Sequence, residues 1–165
     1  MGDKITQLRQ TSAGNKANIL LVDDEPQNLR ALAEVLGVLN QNLVLAASGE
    51  QALRHVLKHD FAVVLLDVRM PGMDGFETAM LLRHRRRSQQ TPIIFVTGAH
   101  DDTHSMFRGY EVGGVDYITK PIVPEILRSK IAVFVDLYNM HSALRQANEE
   151  LEDKVRDRTV TLVET

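Results

Sequence analysis

The chain has 165 residues, a formal net charge of −3 from 19 basic and 22 acidic side chains, and no cysteine. Its length suits one domain with an appendage, and the absence of cysteine excludes disulfides and thiolate metal sites. The charges give no general attraction for nucleic acid or anionic membrane, and no apolar run could span a bilayer, so we expect a cytoplasmic protein that binds neither directly.

Five short apolar runs predict the strands of a sheet. Residues 1–17 are polar and have no period, so we predict a flexible N-terminal tail there. The apolar runs cover residues 19–22, 43–47, 62–66, 93–96 and 115–118. Unbroken apolar runs separated by about 20 to 30 residues are typical of parallel strands that are covered on both faces.

Helical patterns lie between these runs. Pro26 is suited to the first turn of a helix. Two capping boxes, Ser48 with Gln51 and Asp74 with Glu77, mark the starts of two further helices. A fourth helix is predicted over residues 101–112, where Gly113 would end it in a left-handed conformation. Alternating strands and helices predict a doubly wound α/β fold.

From Pro124 to the last residue the chain contains no helix breaker. The positions of a helix–helix seam recur with heptad spacing, and they hold Phe134, His141, Asn148, Val155 and Leu162, with Leu137, Leu144 and Leu151. We expect a parallel homodimer through residues 134–162, and a division into a tail (1–17), a domain (18–135) and a coiled-coil helix (136–165). A single solvated helix is the alternative, because His141 and Arg158 suit a seam poorly.

Polar side chains stand where the predicted strands end. Asp23 and Asp24 follow the first run, Asp67 the third, Thr97 the fourth and Lys120 the fifth. If the strand order is 2-1-3-4-5, the carboxylates meet in a crevice at the switch point of the sheet. They would repel one another unless a cation intervenes, and Mg²⁺ prefers oxygen ligands. Singly, each residue could be a helix cap, a turn residue or a solvated charge.

Residues 19–26, 66–75, 96–98 and 114–121 resemble the receiver domain of two-component response regulators. The likeness covers residues 18 to about 135, and it implies a flavodoxin-like fold with five parallel strands in the order 2-1-3-4-5. It also implies that Asp67 is the phosphoacceptor. By the same resemblance Asp23, Asp24, Asp67 and the backbone carbonyl of Arg69 hold Mg²⁺, directly or through water.

The resemblance assigns three further side chains. Thr97 and Lys120 would bind the phosphoryl oxygens, and Tyr117 would be the aromatic residue whose rotamer follows phosphorylation. The Lys120–Pro121 peptide bond is expected to be cis. Arg69 departs from the family pattern, which often has a smaller polar residue there such as asparagine, so we expect an altered lifetime of the acyl phosphate.

We therefore expect a signalling module and not an enzyme acting on external substrates. It would take a phosphoryl group from a sensor histidine kinase or a phosphotransfer protein. The output would pass through the face of the fourth helix, fifth strand and fifth helix, and through the coiled coil to an output domain absent from this chain. The alternative is a Mg²⁺-dependent phosphohydrolase with Asp67 as its nucleophile, although such enzymes usually carry a second aspartate where Arg69 stands.

Other patterns permit a function but favour a structural role. The basic run 83–87 could contact nucleic acid, but cations are also stabilised at the end of a helix. His100 and His104 have a spacing compatible with a metal, without an evident third ligand. His141 lacks the surrounding sequence of a phosphodonor histidine, and its heptad position indicates a structural role.

Overall fold

The computed structural model describes residues 16–98, 111 and 113–164, with side chains as far as residue 160, and across these residues five parallel strands form one sheet. Their order is β2-β1-β3-β4-β5, which confirms the predicted doubly wound fold. The strands are β1 (Asn18–Val22), β2 (Asn42–Ala46), β3 (Val63–Asp67), β4 (Ile93–Thr97) and β5 (Asp116–Thr119). Each limit lies within one residue of the apolar run that predicted it.

Helices follow the strands and cover both faces of the sheet. They are α1 (Pro26–Leu36), α2 (Gly49–Lys58), α3 (Gly75–His84) and a long C-terminal helix (Pro124–Glu164). A short 3₁₀ turn, Gly37–Leu39, extends α1. The predicted fourth helix falls almost entirely outside the described residues. Gly113, which was expected to follow that helix, has the predicted left-handed conformation with φ of 87°.

The helix starts agree with the local signals in the sequence. Pro26 is the first residue of α1. The Ser48 hydroxyl accepts a hydrogen bond from the backbone N–H of Gln51 (3.2 Å), and Asp74 caps α3 in the same way. The Gln51 side chain accepts from the N–H of Ala47, one residue before the cap. These bonds satisfy donors that the first turn of a helix leaves without a partner.

Two apolar layers enclose the sheet. One layer lies between the sheet and helices α2 and α3, and it includes Leu66 and Phe95. The other lies between the opposite face of the sheet and α1 with the C-terminal helix, and it includes Leu65 and Ile94. Successive strand residues point to opposite faces, so neighbours along a strand enter different layers. This arrangement explains why the strands are unbroken apolar runs.

The first part of the C-terminal helix packs on the domain, and the second part projects away from it. Leu127 and Ile131 are fully buried and Val135 nearly so, whereas residues 139–160 are all exposed. Phe134 packs against the core of its own domain, which corrects the predicted seam at its first position. The reason is helical periodicity, because residue 134 shares a face with 127 and 131. Over the part of the chain that the structure describes, no helix is long and apolar enough to cross a membrane.

Candidate functional site

Three carboxylates meet at the carboxyl edge of β1 and β3. Asp23 and Asp24 directly follow β1, and Asp67 is the last residue of β3. The two strands are neighbours with Val22 opposite Leu66, so the residues at their ends lie side by side. An oxygen from each of the three carboxylates lies within 4.8 Å of the others. The sheet order therefore creates a concentrated negative charge at its switch point.

Lys120 brings a positive charge to the same edge. Its Nζ lies 3.7 Å from Oδ1 of Asp67, as an ion pair. The backbone N–H of Lys120 donates to the carbonyl of Thr97 at 2.8 Å, which ties the segment after β5 to the end of β4. The Lys120–Pro121 peptide bond is cis, as predicted. The lysine thus reaches the acidic cluster from a segment held by backbone hydrogen bonding.

The charges at this edge are not balanced. Burial raises the pKa of the Asp67 carboxyl to about 6, and the negative charge of Asp23 adds to the rise. Lys120 and a backbone hydrogen bond from Arg69 act in the opposite direction. Three carboxylates against one ammonium leave two negative charges on these four groups. Such a cluster favours the uptake of a proton or of a cation.

Asp23 is held in place by two hydrogen bonds. Its Oδ1 accepts from the backbone N–H of Glu25 at 2.9 Å, and its Oδ2 accepts from Nδ2 of Asn28 at 3.1 Å. Asn28 was missed by the sequence reasoning. Its position in the first turn of α1, on the side facing the end of β1, was the available signal. Such bonds orient a carboxylate toward a metal and are often as important as the ligand itself.

Gly75 allows α3 to begin directly beside the cluster. Its N–H donates to the carbonyl of Val68 at 3.0 Å, and a Cβ at this position would lie 2.3 Å from the carbonyl oxygen of Asp67. Any side chain would force the start of α3 away from the end of β3. The sequence reasoning missed this role, although a glycine at the first position of a capped helix was visible in the sequence.

The remaining predicted residues lie around the cluster. Thr97 is buried at the end of β4, and Tyr117 is half-buried in β5 with its ring 5.6 Å from that of Phe95. Phe95 and Thr97 are two residues apart in β4 and so share a face of the sheet. Tyr117 lies opposite Phe95 in the strand register. Thr97 and Tyr117 therefore lie on the same face of the sheet. Arg69, in the segment after β3, is exposed.

The acidic cluster fits a hard divalent cation. The donors are all carboxylate oxygens, and two of the carboxylates, Asp23 and Asp67, are buried. Burial and the negative charge of Asp23 raise the pKa of Asp67, and a bound cation would relieve the repulsion between the two carboxylates. Mg²⁺ typically binds through one or two carboxylates and retains water ligands, which suits oxygens spaced within 4.8 Å.

A family model described as the response regulator receiver domain matches residues 19–132, more than half of the chain. The chain belongs to this family. The receiver domain is a signalling module of two-component systems, and the fold and the acidic cluster described above agree with this membership.

Known relatives share this domain in different contexts. A probable cyclic di-GMP phosphodiesterase of Vibrio cholerae is 30% identical over 145 residues, which are 88% of this chain and 32% of that protein. The signal transduction histidine-protein kinase BarA of Escherichia coli is 35% identical over 111 residues, 67% of this chain and 12% of that protein. The receiver therefore spans less than a third of either relative. The chemotaxis protein CheY4 of Vibrio cholerae has a TM-score of 0.68 at 28% identity, over 73% of this chain and 99% of that one.

Part of the basic run 83–87 is structural. The Arg83 guanidinium donates to the carbonyls of Thr91 and Gly113, both at 2.7 Å, and burial lowers its pKa. Arg87 pairs with Asp60 at 2.8 Å. These two arginines hold loops together, which leaves less of the run for a nucleic acid. His100 and His104 lie outside the described residues, and His141 is exposed on the C-terminal helix.

Proposed function

We propose that the chain is a phosphorylation-operated receiver in which Asp67 accepts a phosphoryl group with Mg²⁺ bound. The observation that carries this proposal is the buried Asp67 carboxylate, 3.7 Å from the Lys120 ammonium and clustered with Asp23 and Asp24. A nucleophile, a cation for the phosphoryl oxygens and oxygen ligands for a metal are the groups that phosphoryl transfer to a carboxylate requires.

Each side chain has a defined role in this proposal. An oxygen of Asp67 attacks phosphorus, and the donor's leaving group departs with the electron pair of the broken P–O or P–N bond. The Lys120 ammonium offsets charge on the phosphoryl oxygens, and the Thr97 hydroxyl donates to one of them. When bound by Asp23, Asp24, Asp67 and the carbonyl of Arg69, Mg²⁺ supplies further charge neutralisation.

The signal would leave through Thr97 and Tyr117. When the Thr97 hydroxyl moves toward the phosphoryl group, it leaves space on the face of the sheet where the Tyr117 ring also lies. The ring then turns into that space. This would alter the surface formed by β5, the C-terminal helix and the predicted fourth helix. The contact of Tyr117 with Phe95, on the same face as Thr97, supports this route.

Beryllofluoride, a mimic of the phosphoryl group, tests the site directly. Calorimetric titration should show binding that requires Mg²⁺ and disappears in Asp67→Asn. Asp74→Asn is a matched control, because asparagine caps a helix as well as aspartate does. Binding that survives in Asp67→Asn, or without Mg²⁺, would refute the proposal. Steady hydrolysis of external phosphate monoesters that depends on Asp67 would favour the phosphohydrolase instead.

Arg69 should set the lifetime of the acyl phosphate. Arg69 is exposed and lies two residues after Asp67, in the segment that follows β3, and a cation that reaches the site from there would interact with a phosphoryl group. Arg69→Asn should change the rate of phosphate release while Mg²⁺ affinity stays nearly unaltered. Equal decay rates in the variant and the native protein would contradict this role.

The projecting helix should form a parallel homodimer within residues 134–162. Its exposed apolar residues include Leu137, Leu144, Leu151 and Val155, which lie at positions of the predicted seam. Light scattering should show a dimer that Leu144→Glu converts to a monomer, whereas Asn139→Glu, an exposed position off this stripe, should leave it intact. A native monomer at high concentration would refute the dimer.

The partner at the input is a sensor histidine kinase or a phosphotransfer protein, and the coiled coil would lead to an output domain. The likeness to the phosphodiesterase extends over 145 residues and so includes residues outside the receiver match. An enzymatic output of that class is therefore our candidate. A full-length protein that lacks cyclic di-GMP hydrolysis both with and without phosphorylation would exclude it.

A further inference from the structure

A cavity of about 290 Å³ opens beside the acidic cluster on the α1 side of the sheet. Its apolar wall is formed by Ala31, Leu32 and Val35 of α1 and by Ile122 of the segment after β5. Leu32 is buried, whereas Ala31 remains exposed at the rim. Apolar side chains at i, i+1 and i+4 of one helix thus line a concave surface next to a strongly charged site.

The other end of the cavity is polar and belongs to the proposed phosphorylation site. Asp23, Asn28 and Lys120 line it there. Asp23 and Lys120 also flank Asp67, the first in the acidic cluster and the second at 3.7 Å. A molecule in this cavity would therefore have its charged end at the reacting carboxylate and its apolar end against α1.

We infer that this cavity binds the acyl group of small acyl phosphates and makes the receiver select donors with an apolar, branched or aromatic acyl group. The inference rests on the proposed phosphorylation of Asp67. The size is suitable, because an apolar cavity of about 150 Å³ already holds a benzene ring. The remaining volume would take the carbonyl and the bridging oxygen.

The transfer is balanced without any further reagent. The bond between phosphorus and the bridging oxygen breaks, and a bond between phosphorus and an Asp67 oxygen forms. The acyl group leaves as a carboxylate with the electron pair of the broken bond, so no proton needs to be supplied. Contact of the acyl group with Val35 and Ile122 would lower the barrier by holding the donor in place.

Phosphorylation rates with two donors test the selectivity. Benzoyl phosphate should phosphorylate the protein about tenfold faster than acetyl phosphate, as followed by mass spectrometry at donor concentrations below saturation. Ala31→Phe, which fills the rim, should bring the benzoyl phosphate rate down to the acetyl phosphate rate and so remove this preference. Arg30→Phe, at an exposed position of α1 outside the cavity, should retain it. Equal rates for the two donors, or a preference that persists in Ala31→Phe, would overturn the inference.

Binding of an unreactive analogue separates this inference from the proposed function. Benzoylphosphonate, whose carbon–phosphorus bond cannot transfer the phosphoryl group, should shift the methyl NMR signals of Val35 and Ile122 more than acetylphosphonate does. If no donor phosphorylates Asp67, the proposed function fails, and the methyl shifts still decide whether the cavity binds the acyl group. Methyl signals that are unmoved by saturating benzoylphosphonate would overturn the inference by themselves.

Discussion

Replacing Asp67 with asparagine should stabilise the Mg²⁺-free protein at neutral pH, although it removes the proposed phosphoacceptor. The Asp67 side chain is only 8% exposed. Burial and the charge of Asp23 raise the pKa of its carboxyl from 3.8 to about 6. A carboxyl with a higher pKa in the folded than in the unfolded chain favours folding when protonated. Its contribution to stability is complete below pH 3.8 and is lost as the pH rises through about 6.

The size of the effect follows from the two pKa values. They differ by about 2 pH units, each of which corresponds to about 1.4 kcal/mol, so ionised Asp67 destabilises the folded protein by about 3 kcal/mol at pH 7. At pH 4.5 only about 1 kcal/mol of this penalty is present. Asparagine has a similar shape and no charge. Asp67→Asn should therefore raise the free energy of unfolding by about 3 kcal/mol at pH 7 and by about 1 kcal/mol at pH 4.5.

Urea denaturation in EDTA, followed by circular dichroism at several pH values, measures this difference. Asp74→Asn is the matched control, and its free energy of unfolding should stay within about 0.5 kcal/mol of the native protein. Added Mg²⁺ should stabilise the native protein more than Asp67→Asn, because the cation relieves the same repulsion. An Asp67→Asn protein that is no more stable than the native one at pH 7, or a gain that does not depend on pH, would refute the electrostatic reasoning.

The remaining predictions concern residues that support the site and its loops. Gly75→Ala should lower the free energy of unfolding by about 2 kcal/mol or more, because its methyl would meet a backbone carbonyl at 2.3 Å. Gly37→Ala meets nothing within 4 Å and should change stability by less than about 1 kcal/mol; thermal unfolding that fails to separate the two would contradict this. Arg83→Met should lower the unfolding free energy by about 3 kcal/mol, since it leaves several carbonyls without their donor. The exposed Arg86→Met should stay within about 0.5 kcal/mol, and equal urea midpoints for the two would count against the role of Arg83. Asn28→Ala should weaken Mg²⁺ binding about tenfold in calorimetry without abolishing it, and an unchanged affinity would remove Asn28 from the site.

The sequence was sufficient for the five strands and for the starts of three helices, whereas the order of the strands in the sheet was implied only by the resemblance to receiver domains. Strands that are buried on both faces must be apolar throughout, so β1, β3 and β4 are visible as unbroken runs. The Ser48 and Asp74 caps depend on residues three positions away along the chain, so local chemistry determines them. Polar residues that end successive strands could be assigned to one edge, because parallel strands present their carboxyl ends together.

Contacts between residues distant in sequence were decided only by the tertiary structure. The approach of Gly75 to the Asp67 carbonyl and the bonds from Arg83 to the carbonyls of Thr91 and Gly113 involve packing that no local pattern encodes. The same holds for Phe134, whose heptad position suits a seam but whose side chain packs on its own domain. Periodicity assigns a residue to a face of a helix, whereas the neighbouring elements determine what that face contacts.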